Sequence, residues 1–432
     1  MVQFEKIPLN ILDRYMLSRD IQLMPFNSHM CISFSCENFD LPKWEKCIFE
    51  LIENVPYLRL RIAKDKKIFP PIQREEIKRN IYIFQNASST TLDNLYQAPF
   101  DFKEGLAIRF ILHIKSNQQY DFIISVHHLL GDGVSQLIIF NEYFKIYNGK
   151  PVSLRLQKLR GISITKPLTQ KVGFLLPLKI LLFQFISKQL NLTCASFSNL
   201  NIPVSDEPYR INVKLIPLQP SFVSYLNQKA KTHHLSFFEA LTLQTFHAIH
   251  SLIKQGSLES KPIVIGIPKC IRRETKSVGL IGNAFSNIFI FSKPESIMKP
   301  SFIAKIKNKF RTHSVEHIAK FIFFGMGELF YKTIRQAKKS FLKSELFESR
   351  NLATMLLTGG KYPESYERPL DWNIQSLTAR GAMLRSPGVG LIYTEINGSI
   401  SVTIEYLEGF VKDSIIAKFI DAFQVEYHET SL

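Results

Sequence analysis

The sequence predicts an α/β protein built as two halves, and three observations support this. Segments with helical hydrophobic periodicity alternate along the chain with short runs rich in Ile, Phe and Val. The 432 residues suffice for two or three domains, or for one large fold in two halves. An irregular stretch with several prolines interrupts the pattern near the middle. We therefore predict an N-terminal half at 1–150, a crossover linker at 151–208 and a C-terminal half at 209–432.

In the first half, the pattern predicts helices over 42–54 and 134–147. The first has apolar side chains at the spacing of one helix face. Residues 106–114 and 120–126 predict two strands between those helices, because they are rich in Ile, Phe and Val.

In the second half, two local signals fix element boundaries. Ser236 and Glu239 have the spacing of a capping box, which predicts the start of a helix. Asn397 and Gly398 separate two apolar runs, which predicts a hairpin turn. Periodicity predicts strands over 210–216, 262–267, 285–291, 391–397 and 399–406, and helices over 220–231, 236–254, 299–343 and 411–424.

One strand–turn–helix segment carries the residues best suited to chemistry. An apolar strand runs into His127 and His128, then into a turn with Gly131, Asp132 and Gly133. A strand end is a rigid mount, and a histidine near it can take up and return a proton at neutral pH. We expect Asp132 to fix the turn through an ion pair or backbone hydrogen bonds. We expect the glycines to permit backbone angles or close approaches that a Cβ would forbid.

Adjacent histidines alone are weak evidence for catalysis. The chain has a second pair, His233 and His234, which no Asp-Gly follows, and we interpret it as a loop between helices. The first pair differs because a strand, a spacer, Asp-Gly and a helix accompany it in order. The residues alone leave catalysis and an incidental pair as open alternatives.

The segment HHLLGDG resembles the HHxxxDG motif of the chloramphenicol-acetyltransferase-like superfamily. That superfamily includes peptide-synthetase condensation domains, plant acyltransferases, polyketide-associated acyltransferases and wax ester synthase/diacylglycerol acyltransferases. Further segments are similar in the same order, namely PLNILDRYML, NVPYLRLRI, PFDFKEGLAIRFIL, IVIGIPKCIRR and GLIGNAFSNIFIF. The first looks like the opening of the wax ester synthase type, and together the segments cover nearly the whole chain. The resemblance implies two chloramphenicol-acetyltransferase-like halves, each a mixed β-sheet flanked by helices, with the active-site channel between them.

The resemblance also implies residue roles in the motif. His128 would be the general base that takes a proton from an acceptor hydroxyl or amine as it attacks an acyl thioester. His127, Asp132 and Gly133 would be structural. The reaction would use a ternary complex without a covalent acyl-enzyme, and the sequence contains no G-x-S-x-G nucleophile elbow.

Other site residues follow from the family pattern less directly. The motif aspartate of the family pairs with an arginine, for which the candidates are Arg109, Arg272 and Arg273. Asn283 matches a Gly-Asn position, where a structural role is an equal alternative. Thr358 lies where wax ester synthases carry S-N-x-x-G-P, but this chain has Leu-Thr in place of Ser-Asn. The plant D-F-G-W-G signature is absent as well, so the subfamily stays open.

We predict from the resemblance an acyltransferase that uses acyl-CoA or the phosphopantetheine thioester of an acyl carrier protein as co-substrate, with no bound cofactor. The acceptor would be the hydroxyl of a hydrophobic molecule, in keeping with 35 Phe and the apolar crossover. One alternative is a stand-alone condensation-type domain that forms an amide with an amine acceptor. Another is a catalytically inactive scaffold that binds acyl chains or membranes, against which the intact motif argues.

A formal net charge of +17 indicates an anionic partner. Residues 299–343 hold 11 Lys or Arg against two acidic residues. Their partner would be a membrane surface, an acidic carrier protein, the phosphates of CoA, or solvent alone. No nucleic-acid-binding module accompanies the charge, so we predict no nucleic-acid partner. The histidines and cysteines form no metal-ligand pattern, so we predict no metal site.

Cysteine usage and the N-terminus bear on localisation. The five cysteines are scattered and form no CxxC, which indicates a reducing compartment, and the chain opens without a signal-peptide pattern. We expect a cytoplasmic protein, with peripheral membrane contact as an option. The apolar run at 172–187 is shorter than the ~20 residues that span a bilayer, so it predicts a buried helix or one lying in a membrane interface.

Overall fold

The structure is a computed structural model of the 432-residue chain. It describes residues 7–9, 13, 16–17, 26–63, 66–102, 105–115, 118–153, 194–198, 209–273, 279–312, 353–383 and 387–427. The predicted helix at 172–187 lies outside the described residues, as does the basic stretch beyond residue 312.

The described strands are numbered β1 to β14 in chain order. They are Ile7–Pro8, Asn27–Ser35, Arg61–Ala63, Lys66–Ile68, Ile81–Gln85, Ile108–Ile114, Gln119–His127, Ile211–Ile216, Ile263–Cys270, Phe285–Ser292, Met355–Lys361, Asn373–Arg380, Val389–Ile396 and Ser399–Leu407. The described α-helices are numbered α1 to α8 in the same way. They are Leu41–Asn54, Arg74–Lys78, Ser89–Gln97, Gly133–Tyr147, Pro220–His233, Phe237–Lys254, Pro300–Arg311 and Asp413–Phe423.

The first large sheet has five strands in the order β12-β2-β7-β6-β5. Only β5 and β6 pair in parallel, and the other neighbours are antiparallel. One face packs on the amphipathic helix α1 and on α4, which is buried along most of its length, with Trp44, Phe34 and Phe122 fully buried between them. The opposite face carries a smaller apolar cluster in which Tyr96 of α3 packs on the sheet. This layered packing holds β7 rigidly in the middle of the sheet.

The second large sheet has six strands in the order β10-β9-β11-β13-β14-β8. Strand β11 pairs in parallel with β9 and β13, and the other pairs are antiparallel. Helices α6 and α8 cover this sheet, and Phe246, Phe419 and Phe423 are fully buried against it. The predicted α/β class with two mixed sheets flanked by helices is therefore confirmed.

Strand β12 departs from the predicted division of the chain. Its residues 373–380 belong to the predicted C-terminal half, yet β12 pairs with β2 as an edge of the first sheet. The hydroxyls of Thr394 and Thr403 on β13 and β14 also donate to carbonyls of β12, those of Leu377 and Ala379. Because a strand's distant partner leaves no mark in its local pattern, the sequence did not reveal this exchange.

Both local boundary signals are confirmed. Ser236 Oγ accepts from the Glu239 N–H at 3.2 Å, and the Glu239 carboxylate accepts from the Ser236 N–H at 2.6 Å. Asn397 and Gly398 have φ of 51° and 77°, which makes them the left-handed turn of the β13–β14 hairpin.

The second histidine pair lies at the junction between α5 and the loop that leads to α6, in keeping with the predicted connection between helices. His233 is the last residue of α5, and His234 caps it with φ of 52°. Among the residues that the structure describes, no helix has the length and apolar character needed to cross a membrane.

Candidate active site

The motif segment forms the end of β7, a tight turn and the start of α4. His127 is the last residue of β7 and is fully buried. Its N–H donates to the Ala107 carbonyl at 3.0 Å, and its Nδ1 accepts from the Leu129 N–H at 2.9 Å. The ring of Phe102 meets the His127 imidazole edge-on, with centroids 4.5 Å apart. These contacts hold His127 in place and give it a structural role at the turn.

His128 is half-buried, and both halves of the chain hold its backbone. Its N–H donates to the carbonyl of Phe26, before β2, at 2.9 Å. Its own carbonyl accepts from Asn283 Nδ2, just before β10, at 2.5 Å. The Phe26 and His128 rings also lie against each other, with centroids 5.1 Å apart. The position of this imidazole thus depends on the first and second halves together.

The His128 imidazole is neutral at physiological pH. Burial lowers its pKa to about 4, and the neighbouring His127 adds to the lowering. The Asp132 carboxylate and the Gly131 backbone oppose the shift without cancelling it. A neutral imidazole keeps a lone pair, which is the form that can accept a proton.

Asp132 is the N-cap of α4 and forms a bidentate ion pair with Arg272, just after β9. Arg272 Nη2 lies 2.7 Å from Asp132 Oδ1, and Nη1 lies 2.9 Å from Oδ2. The carboxylate also accepts from the N–H groups of Ser135 and Ala284, each at 3.0 Å. Burial acts to raise the pKa of Asp132, but Arg272 and these N–H groups outweigh it and leave the pKa below its ordinary value. Asp132 is therefore a fixed, ionised anchor.

Ser135 ties the same anchor to the second half and was missed in the sequence. Its Oγ donates toward the Gly282 carbonyl at 2.9 Å and accepts from the Gly282 N–H at 3.0 Å. The signal for it was present, because Asp132 and Ser135 have the spacing of an N-cap and its N3 partner.

Of the motif glycines, Gly131 is the one that the packing requires. A Cβ at Gly131 would lie 2.4 Å from Ser135 Oγ, which is well inside van der Waals contact. A Cβ at Gly133 would meet nothing within 4 Å. The motif glycine Gly133 is simply the first residue of α4, where a side chain has room.

The remaining arginine candidates lie elsewhere. Arg109 of β6 donates to the carbonyls of Leu95, Ala98 and Pro99 and stacks over the Phe100 ring at 3.9 Å. Arg273 is exposed in the turn after Arg272. Arg272 is thus the arginine that meets Asp132.

The two other second-half candidates separate in the same way. Asn283 lies at the motif through its bond to the His128 carbonyl. Thr358 lies within β11 opposite Ile392, and no hydrogen bond in the described part of the chain joins it to the motif. The described residues also contain no group of three His, Cys, Asp or Glu side chains that could hold a metal ion.

Comparison with known proteins agrees with this architecture. The family model described as Condensation domain matches residues 14–158, which include the motif. The nonribosomal peptide synthetase sidD of Aspergillus fumigatus is 26% identical over 121 residues. That match covers 28% of this chain and only 6% of the length of the synthetase.

Several solved structures share the fold. The condensation domain of the Monacolin K polyketide synthase MokA has a TM-score of 0.66 at 11% identity, covering 98% of this chain and 97% of that one. The epimerization domain from the third module of tyrocidine synthetase B has a TM-score of 0.64 at 14% identity, covering 98% and 96%. The EpoB cyclization-docking bidomain of Sorangium cellulosum has a TM-score of 0.66 at 13% identity, covering 97% and 83%.

The predicted resemblance to the chloramphenicol-acetyltransferase-like and condensation-domain superfamily is therefore confirmed. These matches do not distinguish O-acyl from N-acyl transfer. They also give no preference to the wax ester synthase type.

Proposed function

We propose that this chain transfers an acyl group from a thioester to the hydroxyl of a hydrophobic acceptor, with His128 as general base. The observation that carries the proposal is a neutral, half-buried imidazole held in place by both halves, through Phe26 and Asn283. The condensation-domain match over residues 14–158 supports acyl transfer at this segment.

The chemistry asks little of the protein beyond one proton carrier and two aligned substrates. The His128 imidazole takes the proton of the acceptor O–H as the oxygen attacks the thioester carbonyl. The tetrahedral intermediate collapses, the C–S bond breaks, and the departing thiolate receives the proton from the imidazolium. No covalent acyl-enzyme forms, and the imidazole ends neutral as it began.

The magnitudes assign most of the rate to alignment. General-base assistance typically contributes about 10²–10⁴-fold. Holding thioester and acceptor together in a reactive orientation can supply roughly 7–11 kcal/mol. Asp132 is unsuited to carry the proton, because Arg272 and backbone N–H groups occupy its oxygens. Its role is to hold the loop that aims His128.

The donor is acyl-CoA or an acyl carrier protein thioester, and both are anionic partners. Helix α7, the described part of the basic stretch, exposes Lys305, Lys309 and Arg311. That face suits an acidic carrier protein, the CoA phosphates or an anionic membrane surface. The hydrophobic acceptor and peripheral membrane contact are part of the proposal.

A second candidate is amide formation with an amine acceptor. The condensation-domain match and the segment shared with a nonribosomal peptide synthetase favour it. The same base would serve, since a neutral imidazole can take a proton from an attacking amine.

The test is a transfer assay that follows both thiol release and the acylated product. Acyl-CoA and carrier thioesters are each combined with fatty alcohols and with amines, using wild type, His128→Ala and His233→Ala. We expect His128→Ala to lose at least about 10²-fold in rate, and His233→Ala, from the other histidine pair, to retain activity. Wild-type transfer by His128→Ala would show that the base is wrongly assigned. Exclusive amide products would favour the second candidate, and acyl-chain binding without any transfer would identify an inactive scaffold.

A further inference from the structure

A cavity opens between the two sheets, beside the motif strand. Its polar lining includes Asn27 and His29 of β2, Tyr96 of α3, Arg380 of β12 with the following Gly381, and Glu405 of β14. Both halves and the exchanged strand therefore contribute to it.

The cavity lies next to the motif within the first sheet. Asn27 is the register partner of His127, and His29 is the partner of both Ser125 and Arg380. Side chains directly opposite each other share one face of a sheet. The floor of the cavity is thus the strand immediately alongside the one that delivers His128.

Three deeply buried polar atoms in this lining have no hydrogen-bond partner among the described residues. They are Asn27 Oδ1, His29 Nδ1 and Glu405 Oε1, on residues that are 4%, 6% and 1% exposed. The Asn27 amide cannot be turned around, because its Nδ2 donates to the carbonyls of Tyr96 and Ala98 at 3.0 Å each. An unpaired buried polar atom costs about 1–3 kcal/mol. Three of them around one space indicate an occupant that supplies hydrogen bonds.

Electrostatics narrow the occupant to an uncharged group. Asn27 Oδ1 can only accept, so the occupant must donate, and an anion facing this oxygen would be repelled. A cation is also disfavoured, because burial and the charges of Arg380 and Arg109 already hold the pKa of His29 well below its ordinary value. Arg380 offers an anion little, since its Nη1 is held at 2.6 Å by Asp93.

Glu405 can form a hydrogen bond with such an uncharged group when its carboxyl is protonated. Its Oε2 accepts from the Gly381 N–H at 2.9 Å. Burial raises the pKa of Glu405 to about 8, against the opposing effects of this N–H and of Arg380. At neutral pH, Oε1 therefore belongs to a carboxylic acid that can exchange hydrogen bonds with an uncharged partner.

We propose that this cavity recognises an uncharged polar group of the acceptor, a hydroxyl or a carboxamide, through Asn27, His29 and Glu405. The inference rests on the proposed acyl transfer at His128, because the cavity lies beside β7 and His128 follows directly after that strand. It deepens that proposal by naming a second polar group that a hydrophobic acceptor must carry.

Recognition should be lost in alkaline solution. As the pH rises through about 8, Glu405 ionises and can no longer donate to the ligand. His29 does not titrate in this range, since its pKa is lowered and it is already neutral. The charged and titratable groups that line the cavity with Glu405 are His29, Tyr96, Tyr209 and Arg380, which is paired with Asp93, while Arg109 and His128 act on His29 from outside the lining.

The test compares acceptors that differ in one group, with decanoyl-CoA as donor. They are 2-octanol, 1,2-octanediol and 2-hydroxyoctanamide, with the anionic 2-hydroxyoctanoate and the cationic (2-hydroxyoctyl)trimethylammonium. We expect kcat/KM for the diol and the amide to exceed that for 2-octanol by roughly tenfold at pH 7, as one or two hydrogen bonds allow. Neither charged acceptor should have a kcat/KM above that of 2-octanol. Above pH 8 the preference should fall in the wild type and persist in Glu405→Gln.

Two variants and a binding measurement complete the design. Glu405→Leu should abolish the preference, whereas Glu408→Leu, at an exposed position nearby, should keep it. Stabilisation of the folded protein by 1,2-octanediol relative to 2-octanol is measured in parallel, because it does not require turnover. The inference is wrong if kcat/KM is equal across the series, or if the preference for the diol and the amide survives Glu405→Leu. The cavity would then hold only water. If no acceptor leads to thiol release, the proposed acyl transfer is wrong. The inference then also fails, because there is no acceptor for the cavity to recognise.

Discussion

Asp132 and Arg272 join the two halves at the candidate active site, through two parallel hydrogen bonds of 2.7 and 2.9 Å between the motif turn and the segment just after β9. Both side chains are almost fully buried. A bidentate pair of this kind fixes distance and angle together, because neither group can rotate without breaking a bond. The turn that carries His128 is thereby locked to the half that carries Asn283.

Removing one partner of this pair should be costly. In Arg272→Met, the Asp132 carboxylate stays buried without its counter-charge, so we expect the free energy of unfolding to fall by about 3–5 kcal/mol. Urea unfolding measures this. The control is Glu53→Gln, which breaks the exposed Arg74–Glu53 pair and should cost less than about 1 kcal/mol. Similar small losses in both variants would contradict the anchor role.

The motif glycines should respond in opposite ways to alanine. Gly131→Ala forces its Cβ against Ser135, so we expect a loss of about 1–3 kcal/mol in unfolding free energy together with a loss of transfer. Gly133→Ala meets open space at the first residue of α4 and should be neutral, or stabilising by up to about 1 kcal/mol. Calorimetry on the two variants decides, and equal effects would refute the packing argument.

Asn283 should act as a positioning residue for His128. Asn283→Ala removes the hydrogen bond to the His128 carbonyl, which is worth about 0.5–1.5 kcal/mol. We expect a drop of roughly 3- to 10-fold in kcat, with KM for the thioester little changed. Asn373→Ala, at an exposed position on β12, is the control. A loss confined to KM would place Asn283 in substrate binding.

The pH profile of transfer should report the buried state of His128. Because its pKa is lowered to about 4, the imidazole stays unprotonated as the pH falls from 7 to 5. We expect kcat/KM to stay nearly constant over that interval, whereas an ordinary histidine would lose most of its activity below pH 6.5. Phe26→Ala admits water beside the ring and should raise the pKa, so its acid limb should move upward. A wild-type limb near 6.5 would be inconsistent with the burial of this ring.

Stability should fall in acid because of a second buried histidine. Burial, followed by Lys229 and His250, lowers the pKa of His247 to about 3. Between its ordinary pKa of about 6.5 and this value, the unfolded chain binds a proton that the folded chain does not. Stability is therefore present above pH 6.5 and lost as the pH falls. From pH 7 to 5, His247 alone should remove about 2 kcal/mol, and in urea titrations His247→Gln should lose that part of the slope, while His29 and His128, whose pKa values are also lowered, keep theirs.

Local features were predictable because the residues that determine them are neighbours in sequence. Ser236 and Glu239 satisfy each other's backbone N–H groups within one helical turn, and Asn397 with Gly398 can adopt the left-handed angles of a tight hairpin. The motif turn falls in the same class, since Asp132 caps a helix that starts at the next residue.

The tertiary features were not predictable from local pattern. Arg109 lies in an apolar strand, and Arg272 lies just after one. Only the packed structure shows that Arg109 donates to carbonyls at the end of α3, whereas Arg272 donates to Asp132. The family pattern points to Thr358 by its place in the chain, but its strand lies in the middle of the second sheet. The cavity lined by Asn27, His29 and Glu405 draws on four strands, β2, β8, β12 and β14, which come from both halves of the sequence.

The ribosome makes strand β12 long after the strand with which it pairs. Strand β2 leaves the ribosome about 340 residues before its partner β12. At roughly 5–20 residues per second, that interval is about 20–70 s. During this time the growing chain carries an open sheet edge to which another nascent chain could add a strand. Chaperone demand, and the yield of any expression host, should therefore depend on how quickly the ribosome reaches codon 380.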